Sequence, residues 1–202
     1  MTDLLDHIFG ILFTPASAFR RMLEERTPVI TAAVVVLTAG ICSGAGSMVM
    51  QNAVTSMFTT LPDFEETMFS PAASMTMNVV VGFISWVVIA GILHVLAKLL
   101  GGKGAFTELL VLMGFATLPN IFQAPVGLIA ALSGSFTGAF IAMALLGILT
   151  IWVLILNVLA VREAHKFSTA MAIITLVLSV AVLSVVALIV LVLMLVMGIL
   201  LM

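Results

Sequence analysis

The side chains in this sequence that could do chemistry are few, and they sit at the edges of long uncharged runs. His94 lies four residues before Lys98, Asn157 five before Arg162, and Glu108 shortly after Gly101-Gly102-Lys103-Gly104. On helices, His94 and Asn157 fall about 6 Å inside the neighbouring basic residue. As a site, these three would bind a proton, an ion or a lipid headgroup, because ionisable groups within a membrane are costly to keep. As structure, His94 snorkels outward, Asn157 bonds a neighbouring helix, and Glu108 complements the dipole of a first turn. A second candidate is Pro119, followed by Asn120, Gln123 and Pro125. Pro119 lacks the amide that would bond the Phe115 carbonyl, so it predicts a kink or break there. Transporters build midplane sites from such breaks, although a kink also serves packing. No Lys, Arg, Asp or Glu lies at that depth, which argues against proton-coupled transport.

Catalysis finds little support. A phosphate loop needs Gly-x-x-x-x-Gly-Lys-Ser/Thr after a strand. Gly101 to Gly104 lacks the upstream glycine and the hydroxyl residue, so it reads as a flexible turn. There is no His-Glu-x-x-His and no Gly-x-Ser-x-Gly. Ser133 and Ser135 are separated from His94 and His165 by most of the bilayer, whereas a nucleophile and its base need about 3 Å. Cys42 is the only cysteine, so neither a disulfide nor a cysteine metal site forms. No catalytic residue, metal or cofactor is expected.

The elements that position these residues follow from composition. Of 202 residues, 63% are hydrophobic and 8% charged, whereas a soluble domain is about a quarter charged. A water-soluble globule and a disordered chain are both excluded. The net charge of −2 offers no surface for nucleic acid. A span needs about 20 residues, and uncharged runs predict five helices, at about 28–50, 74–98, 107–132, 136–161 and 169–202. The long third run divides at Ser133-Gly134-Ser135. Thr27-Pro28 and Ser168-Thr169 offer capping hydroxyls at two starts. The last run would make a helix of about 51 Å, longer than one crossing. It lacks a Pro or Asn-Gly turn for a sixth span, so one long helix, tilted or bent near Ser184, is expected.

All seven basic residues then share one side: Arg20, Arg21, Arg26, Lys98, Lys103, Arg162 and Lys166. The other side carries Asp63, Glu65 and Glu66. The positive-inside rule therefore puts the N-terminus, Lys103 and Lys166 in the cytoplasm, with Asp63 and the C-terminus outside. The charges of residues 1–26 exclude a signal peptide. Thr14-Pro15 looks like a helix start, and two readings of this segment stand, which can hold together: an amphipathic helix in the membrane plane, and a polar cap on the spans. In the first, Ile8, Phe9, Ile11, Leu12, Phe13, Phe19 and Leu23 face lipid or the bundle while Arg20 and Arg21 meet phosphates. A double Phe13→Asp, Phe19→Asp change would then release the segment and leave the spans folded. Gly40-x-x-x-Gly44, offset by Ser43-x-x-x-Ser47, makes a smooth face for close helix packing, within the bundle rather than between copies. Trp86 and Trp152 fall inside spans and read as packing residues.

Two segments carry a resemblance. One is Gly101-Gly102-Lys103-Gly104-Ala105-Phe106 with Gly114-Phe115-Ala116-Thr117-Leu118-Pro119. The other is Trp152 to Asn157 with Val161-Arg162-Glu163-Ala164-His165-Lys166-Phe167-Ser168. With Phe13-Thr14-Pro15 and Phe19, their order and spacing resemble the compact prokaryotic members of the Yip1 family over nearly the whole chain. That pattern often has Ser where Ala105 stands and Tyr where Phe115 stands, so two hydroxyls are lost here. The Asp-Leu-Tyr-Gly-Pro motif of the eukaryotic relatives has no counterpart. The resemblance implies a single five-helix domain over 27–202 behind an interfacial segment at 1–26. It also implies a non-enzymatic, multi-pass protein of the cytoplasmic membrane that organises the bilayer or scaffolds partners; in eukaryotic relatives the role is membrane trafficking. The bilayer, other membrane proteins or a homo-oligomer are the expected partners. The alternative is a small channel or transporter at the Pro119–Gln123 break.

Overall fold

The structure, a computed structural model, describes residues 2–58 and 71–200. Among the described residues eight α-helices follow in chain order: α1 (Thr2–Phe13), α2 (Pro15–Glu24), α3 (Val29–Phe58), α4 (Pro71–Leu99), α5 (Phe106–Ala116), α6 (Gln123–Ser133), α7 (Phe136–His165) and α8 (Thr169–Leu200). A 3-10 turn, Leu118–Phe122, joins α5 to α6. No strand occurs among the described residues. Five segments among the described residues are long and apolar enough to cross a membrane: Val29–Asn52, Met75–Leu99, Phe106–Ser133, Phe136–His165 and Thr169–Ile199. Helices prevail because a backbone in hydrocarbon must satisfy its own hydrogen bonds. The expected external segment with Asp63, Glu65 and Glu66 lies outside the described residues.

The third span is central. Every residue of α5 from Leu109 to Ala116 is buried, among α3, α4 and α7. Trp86 is buried beside it and donates from Nε1 to the Leu110 carbonyl at 3.0 Å. Gly114 lets α3 and α4 close in, since a Cβ there would sit 2.8 Å from Ala32 Cβ and 3.2 Å from Trp86 Cζ2. Trp152 packs against the same core. The helix α8 is peripheral and unbroken. It touches α4 and α7 through Ala172, Thr175 and Ser179, while the described side chains beyond Val180 are almost all exposed.

The small-residue face of α3 packs within the bundle. A Cβ on Gly40 would contact Val79, and one on Gly44 would come 3.1 Å from Met75, both on α4. A closer crossing, which the Gly40/Gly44 pattern does not reveal, joins α3 to α6. A Cβ on Gly46 would collide with the Gln123 carbonyl, and one on Gly127 with the Gly46 carbonyl.

The helix ends follow local chemistry, with one correction. Ser135 Oγ accepts from the Gly138 amide at 3.2 Å and Ser168 Oγ from the Met171 amide at 3.3 Å. Gly134, at φ 53°, ends α6. Thr27 does not cap α3: its hydroxyl is buried and bonds nothing among the described residues.

Candidate functional site

The polar machinery gathers at the basic end of the bundle. The Gly101–Gly104 turn is pinned rather than flexible: the Gly102 amide donates to the Ala97 carbonyl at 2.8 Å and the Lys103 amide to the His165 carbonyl at 3.3 Å. A Cβ at Gly104 would overlap the Ala164 carbonyl, and one at Gly102 would lie 2.7 Å from His165 Nδ1. Glycine is needed because two backbones touch there. The turn thereby clasps the end of α7, which closes in a left-handed Lys166.

Beneath the turn, His94 of α4 meets His165, their ring centres 5.2 Å apart. Phe106 lies edge-on to His94 at 5.7 Å and Phe167 beside His165 at 5.8 Å. His94 Nδ1 and both ring nitrogens of His165 are buried and without hydrogen bonds among the described residues. His94 therefore packs inward instead of snorkelling. Among the described residues no three His, Cys, Asp or Glu side chains cluster as metal ligands would. Asn157 is half-buried on α7 and makes no interhelical hydrogen bond among the described residues. To the sequence grouping of His94, Asn157 and Glu108 the structure adds His165, which faces His94.

Glu108 accepts the Ala105 amide at 2.9 Å. This is one half of a capping box, whose other half needs a hydroxyl at position 105. Ala105→Ser should therefore stabilise the protein by about 0.5–1 kcal/mol and raise its melting temperature by a few degrees in detergent. A fall in melting temperature would show that the hydroxyl finds no partner there.

The N-terminal helices dock over this end, where α2 buries Ala18, Phe19 and Met22 against the bundle as an amphipathic helix does. α1 packs on α5 and reaches the 3-10 turn, so it stands along the third span. His7 is buried edge-on against Phe115, with ring centres 6.1 Å apart, and bonds Glu25 at 2.9 Å. Hydrogen bonds from Arg21 and then His7 hold the Glu25 carboxyl below its usual range, so these contacts persist at neutral pH and weaken as acid protonates Glu25. Phe19 is fully buried with Ile11 and Met22, while Phe13 is 77% exposed. Arg20 pairs with Glu163 at 2.8 Å and Arg21 with Glu25 at 2.7 Å. Glu163 also receives Arg162. Both arginines are engaged by carboxylates rather than left to lipid phosphates alone.

The broken span is as expected in place and different in detail. Helix α5 stops at Ala116, and buried Pro119 starts the tighter turn. Gln123 Nε2 donates to Asn120 Oδ1 at 3.0 Å, and Ser43 Oγ donates to Gln123 Oε1 at 3.0 Å. The amide side chains thus bond each other and α3. Beside Gln123 lies a cavity of about 340 Å³ whose polar lining includes Ser47 and Gln51, with Met50 and Leu146 on its apolar side. His7, Glu163 and the Gly46–Gly127 crossing were not singled out from the sequence. Their signals were a histidine in an apolar stretch, an acid among basic residues, and two more glycines among fifteen.

Five apolar spans, the central one broken at Pro119 and the bundle closed at the basic end by a glycine clasp, define a multi-pass α-helical membrane protein. The chain belongs to the Yip1 domain family, which matches residues 9–201. It is similar to an uncharacterized protein of Methanocaldococcus jannaschii, 21% identical over 122 residues that cover 60% of this chain and 85% of that one. No solved structure matches.

Proposed function

We propose that this protein is a non-enzymatic component of the cytoplasmic membrane that organises the bilayer or scaffolds membrane-protein partners from its basic end. The observation that carries this reading is convergence. The glycine clasp, the end of α7 and the docked α2 form one packed platform, joined through Lys103–His165 and Arg20–Glu163. A rigid platform at the membrane surface suits binding a partner, because little ordering entropy is lost on contact. The positive-inside bias puts the platform in the cytoplasm. Residues 1–26 act as its cap, and 27–202 as the bundle that holds it. Its partners are lipid and other membrane proteins or a second copy, not nucleic acid.

The cavity beside Gln123 favours a second reading, a small channel or transporter. The two are separated with Lys103→Cys and Lys166→Cys variants lacking Cys42. Expected results are labelling by an impermeant thiol reagent only after the cytoplasmic face is opened, crosslinks to membrane proteins, and no solute flux in proteoliposomes. Flux abolished by Gln123→Leu, with no crosslinked partner, would overturn the scaffold reading.

A further inference from the structure

A groove at the basic end lies between the end of α2, the start of α3 and the first turn of α5, with a volume of about 310 Å³. One part of its lining is polar: Arg26, Thr27, Thr107 and Glu108. The other is apolar and includes Met22, Val29 and Val111. Val29 opens the first span, and Val111 lies in the third. The groove therefore runs from the interface into the hydrocarbon region. Next to it, Ile30, Val34, Leu37 and Ile41 are exposed at spacings that put them on one face of α3.

Three polar groups in this groove have unused capacity. Arg26 has no ion pair among the described residues, unlike Arg20, Arg21 and Arg162. The Thr27 hydroxyl is buried with no hydrogen bond among the described residues, although a buried hydroxyl ordinarily has a partner. Glu108 uses Oε2 for the Ala105 amide, so Oε1 can accept from a ligand. A cation and a hydroxyl donor suit a phosphate, which guanidinium binds with charge-assisted hydrogen bonds. A carboxylate in the same groove opposes a purely anionic ligand and suits one that also carries an ammonium group.

We propose that this groove binds a zwitterionic phospholipid, with its phosphate on Arg26 and Thr27, its primary ammonium on Glu108, and its glycerol and acyl start on the Val29–Val111 floor. The apolar part of the lining, with the exposed Ile30–Ile41 face of α3 beside it, suits a lipid better than a soluble phosphate ester. The inference goes beyond the scaffold reading and does not depend on it, because headgroup selectivity is measured with neither a partner nor a solute present.

The test is native mass spectrometry of the full protein in detergent, offered phosphatidylethanolamine, phosphatidylcholine and phosphatidylglycerol of matched chains. Phosphatidylethanolamine should be retained about tenfold over the other two, the scale of one charge-assisted hydrogen bond. Glu108→Gln keeps the cap on α5, since Gln also serves in a capping box, and should equalise phosphatidylethanolamine with phosphatidylcholine. Arg26→Asn is chosen because Arg26 has φ 51° and Asn tolerates that conformation; it should weaken both zwitterionic lipids. Thermal melts confirm that both variants fold. Equal retention of the three lipids, or selectivity unchanged in Glu108→Gln, overturns the proposal. So does displacement by soluble phosphoethanolamine as readily as by lipid, which would assign the groove to a soluble ligand.

Discussion

Phe19→Asp should undock the N-terminal helices, whereas Phe13→Asp should change almost nothing. The two phenylalanines are six positions apart and look equivalent in sequence, but Phe19 is 0% exposed and Phe13 77%. Truncating a fully buried Phe costs about 3–5 kcal/mol, and a carboxylate left in that core adds the cost of an unpaired buried charge. Against a total stability of about 5–15 kcal/mol, this loosens α2 from α5 and α7 and frees His7 from Phe115. The measurements are the melting temperature in detergent and trypsin cleavage at Arg20 and Arg21. Phe19→Asp should melt well below the parent and be cut rapidly at both arginines. Phe13→Asp should match the parent in both. Equal sensitivity of the two variants would mean that α2 does not dock as described. The simple release expected of the double variant becomes damage to the core shared with the spans.

Gly46→Leu should separate α3 from α6 and prevent recovery of a stable bundle. Even a single methyl at Gly46 meets backbone: the Gln123 carbonyl carbon would lie 2.5 Å away and the Ala124 nitrogen 2.9 Å. Flexible side chains can move aside, but these are helix backbones, so the helices themselves must part. Overpacking a core costs about 1–3 kcal/mol for modest insertions, and a leucine here inserts a whole side chain between two helices. The Ser43–Gln123 hydrogen bond spans the same crossing and would be lost with it. Gly127→Ala should do the same more mildly, through the Gly46 carbonyl. Gly91→Ala is the control, since a Cβ there meets nothing within 4 Å; it should leave the melt unchanged or raise it slightly, as alanine is the better helix former. Melting of all three variants in one detergent, together with the monodisperse fraction, reads this out. A Gly46→Leu protein that melts with the parent would rule out the close crossing.

Much of the architecture was legible because lipid imposes a simple rule. A backbone in hydrocarbon must be helical, so uncharged runs between Lys and Arg mark spans within a few residues, and Ser133-Gly134-Ser135 and Pro119 mark where one ends or breaks. The family resemblance was legible too, since the Gly101–Phe106 and Arg162–Ser168 segments form a single clasp in space. Sequence alone determined five spans, their boundaries, the broken third helix and the gathering of basic residues at one end. The tertiary structure decided which polar groups meet. His94 finds His165, seventy-one positions away; Arg20 finds Glu163; Thr27 keeps an unused hydroxyl; and α3 makes a closer crossing at Gly46 than at Gly40. Hydropathy places residues by depth along the membrane normal, while rotation about each helix axis sets its neighbours. In helices apolar on every side, only packing fixes that rotation.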